Sequence, residues 1–494
     1  MSQQKSRLTV LATVTLAVAI AAWSLSGRGT SKNAPPFARH WRPFVGHLLL
    51  LLKGPAVFVP LIFDGVGGDV VELSILSRRI YYIKGTASKV ILANSRINKR
   101  PLDANALHEL RSFEEGVTFN NNIPKWKRNR KLLIDAIGLP RFIRSLAPRV
   151  NHQFASLFAP LDQLAKQSTP VSIDRLFNLI SMDLMFDIVF SKQNGEALDY
   201  LQSLLKPSEP SRHPEFLDLT NNLTDSMLFF LTTPGIVQSL MSKARDMHRH
   251  HVASFLEALE RLVDSKKSDV AHGDKMDFCQ ALLSHPDISK EENLKDLHAN
   301  LRATITAGTE TTANTLSFLV YELVTHPEIA DAIHDEVVAH AGLHGELNAE
   351  NIAKLDLLEA AIKETMRMYA PVQALQRLLE EDTVVGGYNL MAGSPVFISL
   401  RAIHTSEELW PRADQFNPAR FTDLKPDAAQ YLPFGAGVRK CPGEALALME
   451  MKLVMAHLLR RYRLRLADET KGPAIKFSFT MRCENLGILF SLRM

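Results

Sequence analysis

The residue types that can do chemistry in this chain gather in four short stretches. The richest is Phe434-Gly435-Ala436-Gly437-Val438-Arg439-Lys440-Cys441-Pro442-Gly443. The run Glu444-Ala445-Leu446-Ala447-Leu448 after it reads as a helix start. Pro442 suits the first helical position, where a missing N–H costs nothing. Cys441 would then sit at the positive end of a helix dipole, beside unpaired backbone N–H groups. Two glycines let the backbone approach the sulfur, and Arg439 adds positive charge nearby. These features favour a thiolate, with room for something flat against it. The plainer alternative is a buried structural cysteine, a common fate of free thiols.

The second stretch is Ala307-Gly308-Thr309-Glu310-Thr311-Thr312. A glycine and a run of hydroxyls are unfavourable inside a helix. Thr311 is spaced to bond back to the carbonyl of Ala307 and bend the ladder locally. The competing explanation is a helix crossing, where small residues admit a close neighbour. The third is Glu364 with Arg367, placed on one helix face by their spacing. On a surface such a pair would contribute little. Glu-x-x-Arg is also unspecific, since Glu209-Pro210-Ser211-Arg212 fits it with a proline inside. The fourth is Trp126-Lys127-Arg128-Asn129-Arg130.

The elements that must position these residues are mostly helices. Helical periodicity dominates from about residue 125 onward. Glu291 to Thr325 has no proline and one internal glycine, and His326-Pro327 stops it. Val70 to Leu76 and Arg79 to Ile83 predict a strand pair turning at Ser77-Arg78. Thr383 to Ser399, with turns at Gly386-Gly387 and Ala392-Gly393, and Ala474 to Leu492 predict further strands. The expectation is a mainly α body with a minor β-sheet built from distant segments. Such a sheet would tie both ends of the body into one domain.

Composition narrows the function. Lys plus Arg number 57 against 53 Asp plus Glu, a formal charge of +4 in 494 residues. A nucleic-acid partner usually requires a stronger or more clustered basic excess, so no nucleic-acid partner is expected. Three cysteines cannot build a disulfide framework. His248-Arg249-His250-His251 reads as a solvated helix face rather than a metal site.

Leu8 to Gly27 is uncharged for 20 residues, long enough to cross a bilayer as a helix. Ala19-Ile20-Ala21 resembles a signal-peptide cleavage site. A retained anchor is preferred, because the cysteine content gives no sign of an oxidising compartment. Arg28, Lys32, Arg39 and Arg42 outweigh Lys5 and Arg7, which places the body in the cytosol. The expected organisation is an anchor over 1–27, a proline-containing linker over 28–60 and a catalytic domain over 61–494. Leu48 to Leu52 and Val57 to Phe63 are apolar but too short to span, and packing is their expected role.

The spacing Phe-x-x-Gly-x-Arg-x-Cys-x-Gly, carried by Phe434, Gly437, Arg439, Cys441 and Gly443, resembles the haem-binding loop of the cytochrome P-450 family. The resemblance covers the body from about residue 60 to the end, with four motifs in the family's order. It implies a cytochrome P-450-like fold, preceded here by one transmembrane helix. It implies haem b, with Cys441 as axial iron ligand and Arg439 paired to a propionate. A thiolate ligand pushes electron density to iron. Trp126, Arg130 and Arg377 are further propionate partners on this resemblance. Glu364 and Arg367 become a buried pair behind the cysteine loop, joined by Arg420 of Pro418-Ala419-Arg420-Phe421. The family often has Glu where this chain has Ala419. In the second stretch the resemblance makes Ala307 and Gly308 an oxygen site, with Glu310 and Thr311 as an acid–alcohol pair that relays protons.

The implied activity is a membrane-anchored haem-thiolate monooxygenase of the microsomal type. It would use dioxygen to oxidise a hydrophobic small molecule. Electrons would come from NADPH through a separate reductase, since no dinucleotide or flavin motif is present. Lys127, Arg128, Lys131 and Lys440 form a candidate basic face for that partner. The implied location is the endoplasmic reticulum membrane, single-pass, with the catalytic domain cytosolic. A lipid, terpenoid or polyketide substrate of a biosynthetic step is the adopted expectation, with selectivity in segments around 101–123 and 209–241. A haem-thiolate isomerase or dehydratase acting on peroxides without a reductase is the alternative, and the intact Glu310-Thr311 argues against it. A non-catalytic haem-binding membrane protein is the other class left open.

Overall fold

The computed structural model describes residues 33–42, 46, 47, 50, 55–75, 78–102, 104–111, 113–137, 140–208, 215–233, 235–269, 277–286, 294–422, 426, 427 and 429–493. The expected anchor, Leu8 to Gly27, and most of Leu48 to Leu52 lie outside the described residues. Among the described residues no helix is long and apolar enough to cross a membrane. The chain divides into two compact units, each assembled from separated segments. One comprises residues up to 101, 373–413 and 427–440; the other comprises 102–372, 414–426 and 441–494.

The first unit is built on a sheet of four strands in the order Val70–Ile75, Arg78–Ile83, Pro395–Ser399, Ala374–Leu378. These segments are rich in β-branched and aromatic residues, which fit a pleated surface. The first two strands form the predicted hairpin, with Val70 opposite Ile83. Arg78–Ile83 runs parallel to Pro395–Ser399, so residues over three hundred positions apart share one sheet. Side chains alternate across it. Tyr81 and Ile83 join Val396 and Ile398 in one core. Ile80 and Tyr82 join Phe58, Val59 and Ile62 of the helix Pro55–Phe63 in another. The apolar run Val57 to Phe63 therefore packs, as expected. Thr383–Val385 and Tyr388–Leu390 pair as a small hairpin, turned by Gly386 and Gly387 at positive φ.

The second unit is dominated by helices around Leu294–Thr325, a 32-residue helix. At 1.5 Å per residue it is roughly 48 Å long. It ends where predicted, because Pro327 opens the next helix, Pro327–Ala341, with His326 as its N-cap. Ile173–Phe190, Asp356–Met368 and Glu444–Arg461 pack against it. Its first turn is tied down by Asp296, a buried carboxylate that pairs with Lys125 at 2.6 Å and with Arg128 of the helix Ile123–Ile137. The β-rich C-terminal expectation is met by two small sheets. Val171–Ser172, Gly487–Leu492 and Tyr462–Leu466 form one, and Ala474–Phe477 with Met481–Glu484 forms the other.

Candidate active site

In the helical unit, Cys441 is exposed. The helix after it begins later than the proline predicts. Gly443 is the N-cap of Glu444–Arg461, with φ −91 and ψ 8, and Ala447 N–H donates to Gly443 O at 2.9 Å. Pro442 stands ahead of the helix, because it is Gly443 that turns the chain into it. A Cβ on Gly443 would lie 3.9 Å from Cys441 Sγ, an ordinary contact. The sulfur therefore does not by itself demand glycine at 443.

Arg130 is near enough to Cys441 to feel its charge. Burial lowers the pKa of Arg130, and a thiolate at Cys441 opposes that shift. Its guanidinium lies 5.8 Å from the ring centre of Trp126, which is buried. The candidate basic face is smaller than the sequence predicts, because Arg128 is committed to buried Asp296. Lys127 and Lys131 are exposed.

On the long helix, Thr311 Oγ1 donates to Ala307 O at 2.7 Å, the predicted back-bond. Residues 301–306 and 312–320 are buried on nearly every side, whereas Ala307 is exposed and Gly308 and Thr311 are half-buried. Thr311 lies one helical turn from both Ala307 and Gly308, on the same side of the helix. Gly308 also serves a close crossing. A Cβ there would stand 2.3 Å from Met185 Sδ of Ile173–Phe190. The space that glycine leaves is taken by that side chain rather than held open. Glu310 is not paired with Thr311. It is buried, accepts a hydrogen bond from Thr480 Oγ1 at 2.6 Å and is ion-paired to Arg482. The expected acid–alcohol pair is thus adjacent in sequence but directed to different partners, since neighbouring helix positions point about 100° apart.

The structure brings Glu364, Arg367 and Arg420 together. Glu364 is fully buried. Its Oε1 also accepts from Arg420 Nε at 3.1 Å and from Asn417 N–H at 3.0 Å. Arg367 Nη2 reaches Gln415 O at 3.4 Å. The backbone bond from Asn417 explains why Ala419 is tolerated: the segment is held by its main chain and by Arg420.

In the sheet unit, the front of the cysteine loop is shaped by glycine. Gly435 and Gly437 have φ +70 and +68. A Cβ on Gly437 would fall 2.2 Å from Leu92 O, so only glycine fits. Phe434 is half-buried just before this turn. Arg439 is buried, and its Nε donates to Asn98 O at 3.0 Å. Arg377 is 4% exposed, and its Nη1 donates to the carbonyl of Gln376 at 2.8 Å. Burial lowers its pKa to about 10. Arg100 is lowered to about 10 as well, by burial and then by repulsion from Arg377. One buried and one half-buried guanidinium that repel each other fit an anionic group, such as a carboxylate, in their neighbourhood.

The donor set fits haem. The helical unit offers an exposed cysteine with a cation near it and a helix face at Ala307 and Thr311 that its neighbours leave uncovered, and the sheet unit, taken by itself, offers buried guanidiniums suited to propionates. The comparisons agree with this fit. The Cytochrome P-450 family model matches residues 35–490. This chain is 26% identical over 366 residues to cytochrome P-450 3A28 from Bos taurus, covering 71% of this chain and 69% of that one. It is 26% identical over 363 residues to cytochrome P-450 4Z1 from Homo sapiens, covering 71% and 70%. The crystal structure of the cytochrome P-450DA heme domain superposes with a TM-score of 0.77 at 20% identity, covering 94% of this chain and 98% of that one, which shows the same fold. The chain belongs to the cytochrome P-450 family of haem-thiolate monooxygenases. The family uses haem iron, dioxygen and electrons from a redox partner.

Sequence reasoning missed Arg100, Thr480 and Arg482. Arg100 carries a faint signal in the basic pair Lys99-Arg100 before Pro101. Thr480 and Arg482 carry none, because their partner Glu310 lies 170 and 172 positions away. In the histidine cluster Arg249 and His250 are exposed, whereas His248 is half-buried, stacked on Phe229 at 4.3 Å with Ser226 Oγ 3.0 Å from its Nδ1.

Proposed function

We propose that this chain is a membrane-anchored monooxygenase that oxidises a hydrophobic small molecule with electrons delivered from NADPH by a separate reductase. The observation that carries the reading is the exposed Cys441 sulfur beside Arg130, in the unit whose long helix leaves Ala307 and Thr311 uncovered.

When bound, haem supplies activation of dioxygen, which no side chain of the protein provides. Cys441 would supply the sulfur that ligates its iron. Arg439, Arg377, Arg130 and Trp126 are proposed to hold the propionates, with Arg100 added from the structure. Phe434, Gly437 and Gly443 give the loop its path. Glu364, Arg367 and Arg420 tie the helix Asp356–Met368 to the segment 415–420. Thr311 presents a hydroxyl that donates to Ala307 O, so it can turn and donate that hydrogen bond to a reacting oxygen. Glu310 lies one position away, held by Thr480 and Arg482. Ala307, which is exposed, keeps bulk off that face, while Gly308 admits the Met185 side chain.

Leu8 to Gly27 is proposed as a single anchor in the endoplasmic reticulum membrane, with the body cytosolic. Exposed Lys127, Lys131 and Lys440 suit an acidic reductase surface. The substrate is proposed to be a lipid, terpenoid or polyketide of a biosynthetic step.

The test is the carbon monoxide difference spectrum of the reduced, purified protein. The wild type should show the long-wavelength band of thiolate-ligated iron, and Cys441→Ser should lose it. A colourless wild type, or a band unchanged by that substitution, rejects the reading. A binding screen of hydrophobic candidates, read as displacement of the iron's water, then finds the substrate.

A further inference from the structure

We propose that Arg482 and Thr480 are positioning residues for Glu310, holding one carboxylate oxygen and leaving the other to act. This deepens the function proposed above and rests on it. Both bonds to Glu310 fall on the same atom: Thr480 Oγ1 donates to Oε1 at 2.6 Å, and Arg482 Nε is paired with that same oxygen. Among the described residues none donates a hydrogen bond to Oε2. With Oε1 held by two donors, the carboxylate keeps its place while Oε2 remains available.

The anchor is itself built in. Arg482 is buried and fully engaged. Its Nη2 donates to Thr224 Oγ1 at 2.7 Å, and its Nη1 faces Asp225 Oδ1 at 3.2 Å. Asp225 also accepts from Ser478 Oγ at 2.9 Å, and its side chain is 45% exposed. One guanidinium therefore joins a buried carboxylate on the long helix to a solvent-facing carboxylate on the helix Glu215–Thr232. Glu310, Arg482 and Asp225 form a charge chain from the Glu310-Thr311 turn to the surface. A buried carboxylate without its cation takes up a proton instead of staying charged. The hairpin Ala474–Phe477/Met481–Glu484 becomes part of the proton-handling machinery, not only a wall.

The test uses the holoprotein with Arg482→Met, Arg482→Lys, Thr480→Val, Glu310→Gln and the Arg482→Met/Glu310→Gln double variant. The carbon monoxide spectrum is recorded first. A wild type without the thiolate band rejects the underlying function, whatever the infrared result. Infrared spectra then track protonated carboxyl groups between about pH 5 and pH 8. Arg482→Met should gain a carboxyl band that the double variant lacks, and Arg482→Lys should suppress it again. Thr480→Val keeps the ion pair and should show no such band, which separates a lost charge from a loosened hairpin. Absence of the new band in Arg482→Met, or its persistence in the double variant, overturns the proposal. With a purified reductase and NADPH, peroxide released per NADPH should rise several-fold in Arg482→Met and in Glu310→Gln. The two increases should not multiply in the double variant, because both act through one carboxylate. Independent, multiplying increases would also overturn it.

Discussion

The guanidinium of Arg367 meets the carboxylate of Glu364 as a two-pronged fork. Nε donates to Oε2 at 2.7 Å and Nη2 to Oε1 at 2.9 Å, with both side chains wholly out of solvent. Their spacing of three residues puts them on one helix face, and burial turns an ordinary surface pair into a structural requirement.

Glu364→Ala should leave Arg367 and Arg420 as uncompensated buried charges. The expected cost is about 3–5 kcal/mol, and the purified protein should contain little haem. Haem-to-protein ratio and urea unfolding check this. A variant with full haem content would show that the network does not support the cofactor site.

Thr311→Ala removes the hydroxyl that donates to Ala307 O but no buried charge. Haem content and stability should stay near wild type. Product formation should fall on the order of a hundredfold, the lower range for a positioned proton donor, while peroxide release rises. Peroxide assayed against NADPH consumed, with normal coupling as the contrary result, decides whether Thr311 belongs to the relay.

Gly437→Ala places a side chain at φ +68 with its Cβ 2.2 Å from Leu92 O. The backbone strain and the forced shift of a main-chain carbonyl should together cost at least about 2 kcal/mol. Gly443→Ala meets only a 3.9 Å contact from Cys441 Sγ and should be much milder. Thermal unfolding of the two variants side by side tests this contrast, and equal losses would contradict it.

Glu450 lies buried on the helix after Cys441, where burial raises its pKa to about 8 and a hydrogen bond from Ser181 at 2.7 Å only partly offsets this. The unfolded chain ionises near the ordinary value of 4.5, while the folded protein keeps the proton until about 8. The stability contributed by the neutral acid is therefore fully present below the ordinary value and is lost as pH rises toward the folded value. Glu450→Gln should flatten this part of the pH dependence and be the more stable protein near about pH 8. Urea midpoints of both proteins across that window measure it, and parallel curves would remove Glu450 as the cause.

Much of the site was legible because its key relations are local. The Thr311 back-bond, the shared face of Glu364 and Arg367, and the glycine-shaped cysteine loop all lie within a few residues, where helix and turn geometry leave few choices. The hairpin over 70–83 was legible for the same reason. The amino-acid order alone thus determined the glycine-shaped cysteine loop, the helix that follows it, the shared face of Glu364 and Arg367 and the Thr311 back-bond. Tertiary structure alone decided that Glu310 turns to Arg482 and Thr480, that Arg128 is spent on Asp296, that Met185 fills the space beside Gly308, and that Arg100 is half-buried near Arg377. The reason is that these partners lie on elements far apart in the chain. Which of them meet is set by how helices and sheets pack, and no periodicity within a segment records that.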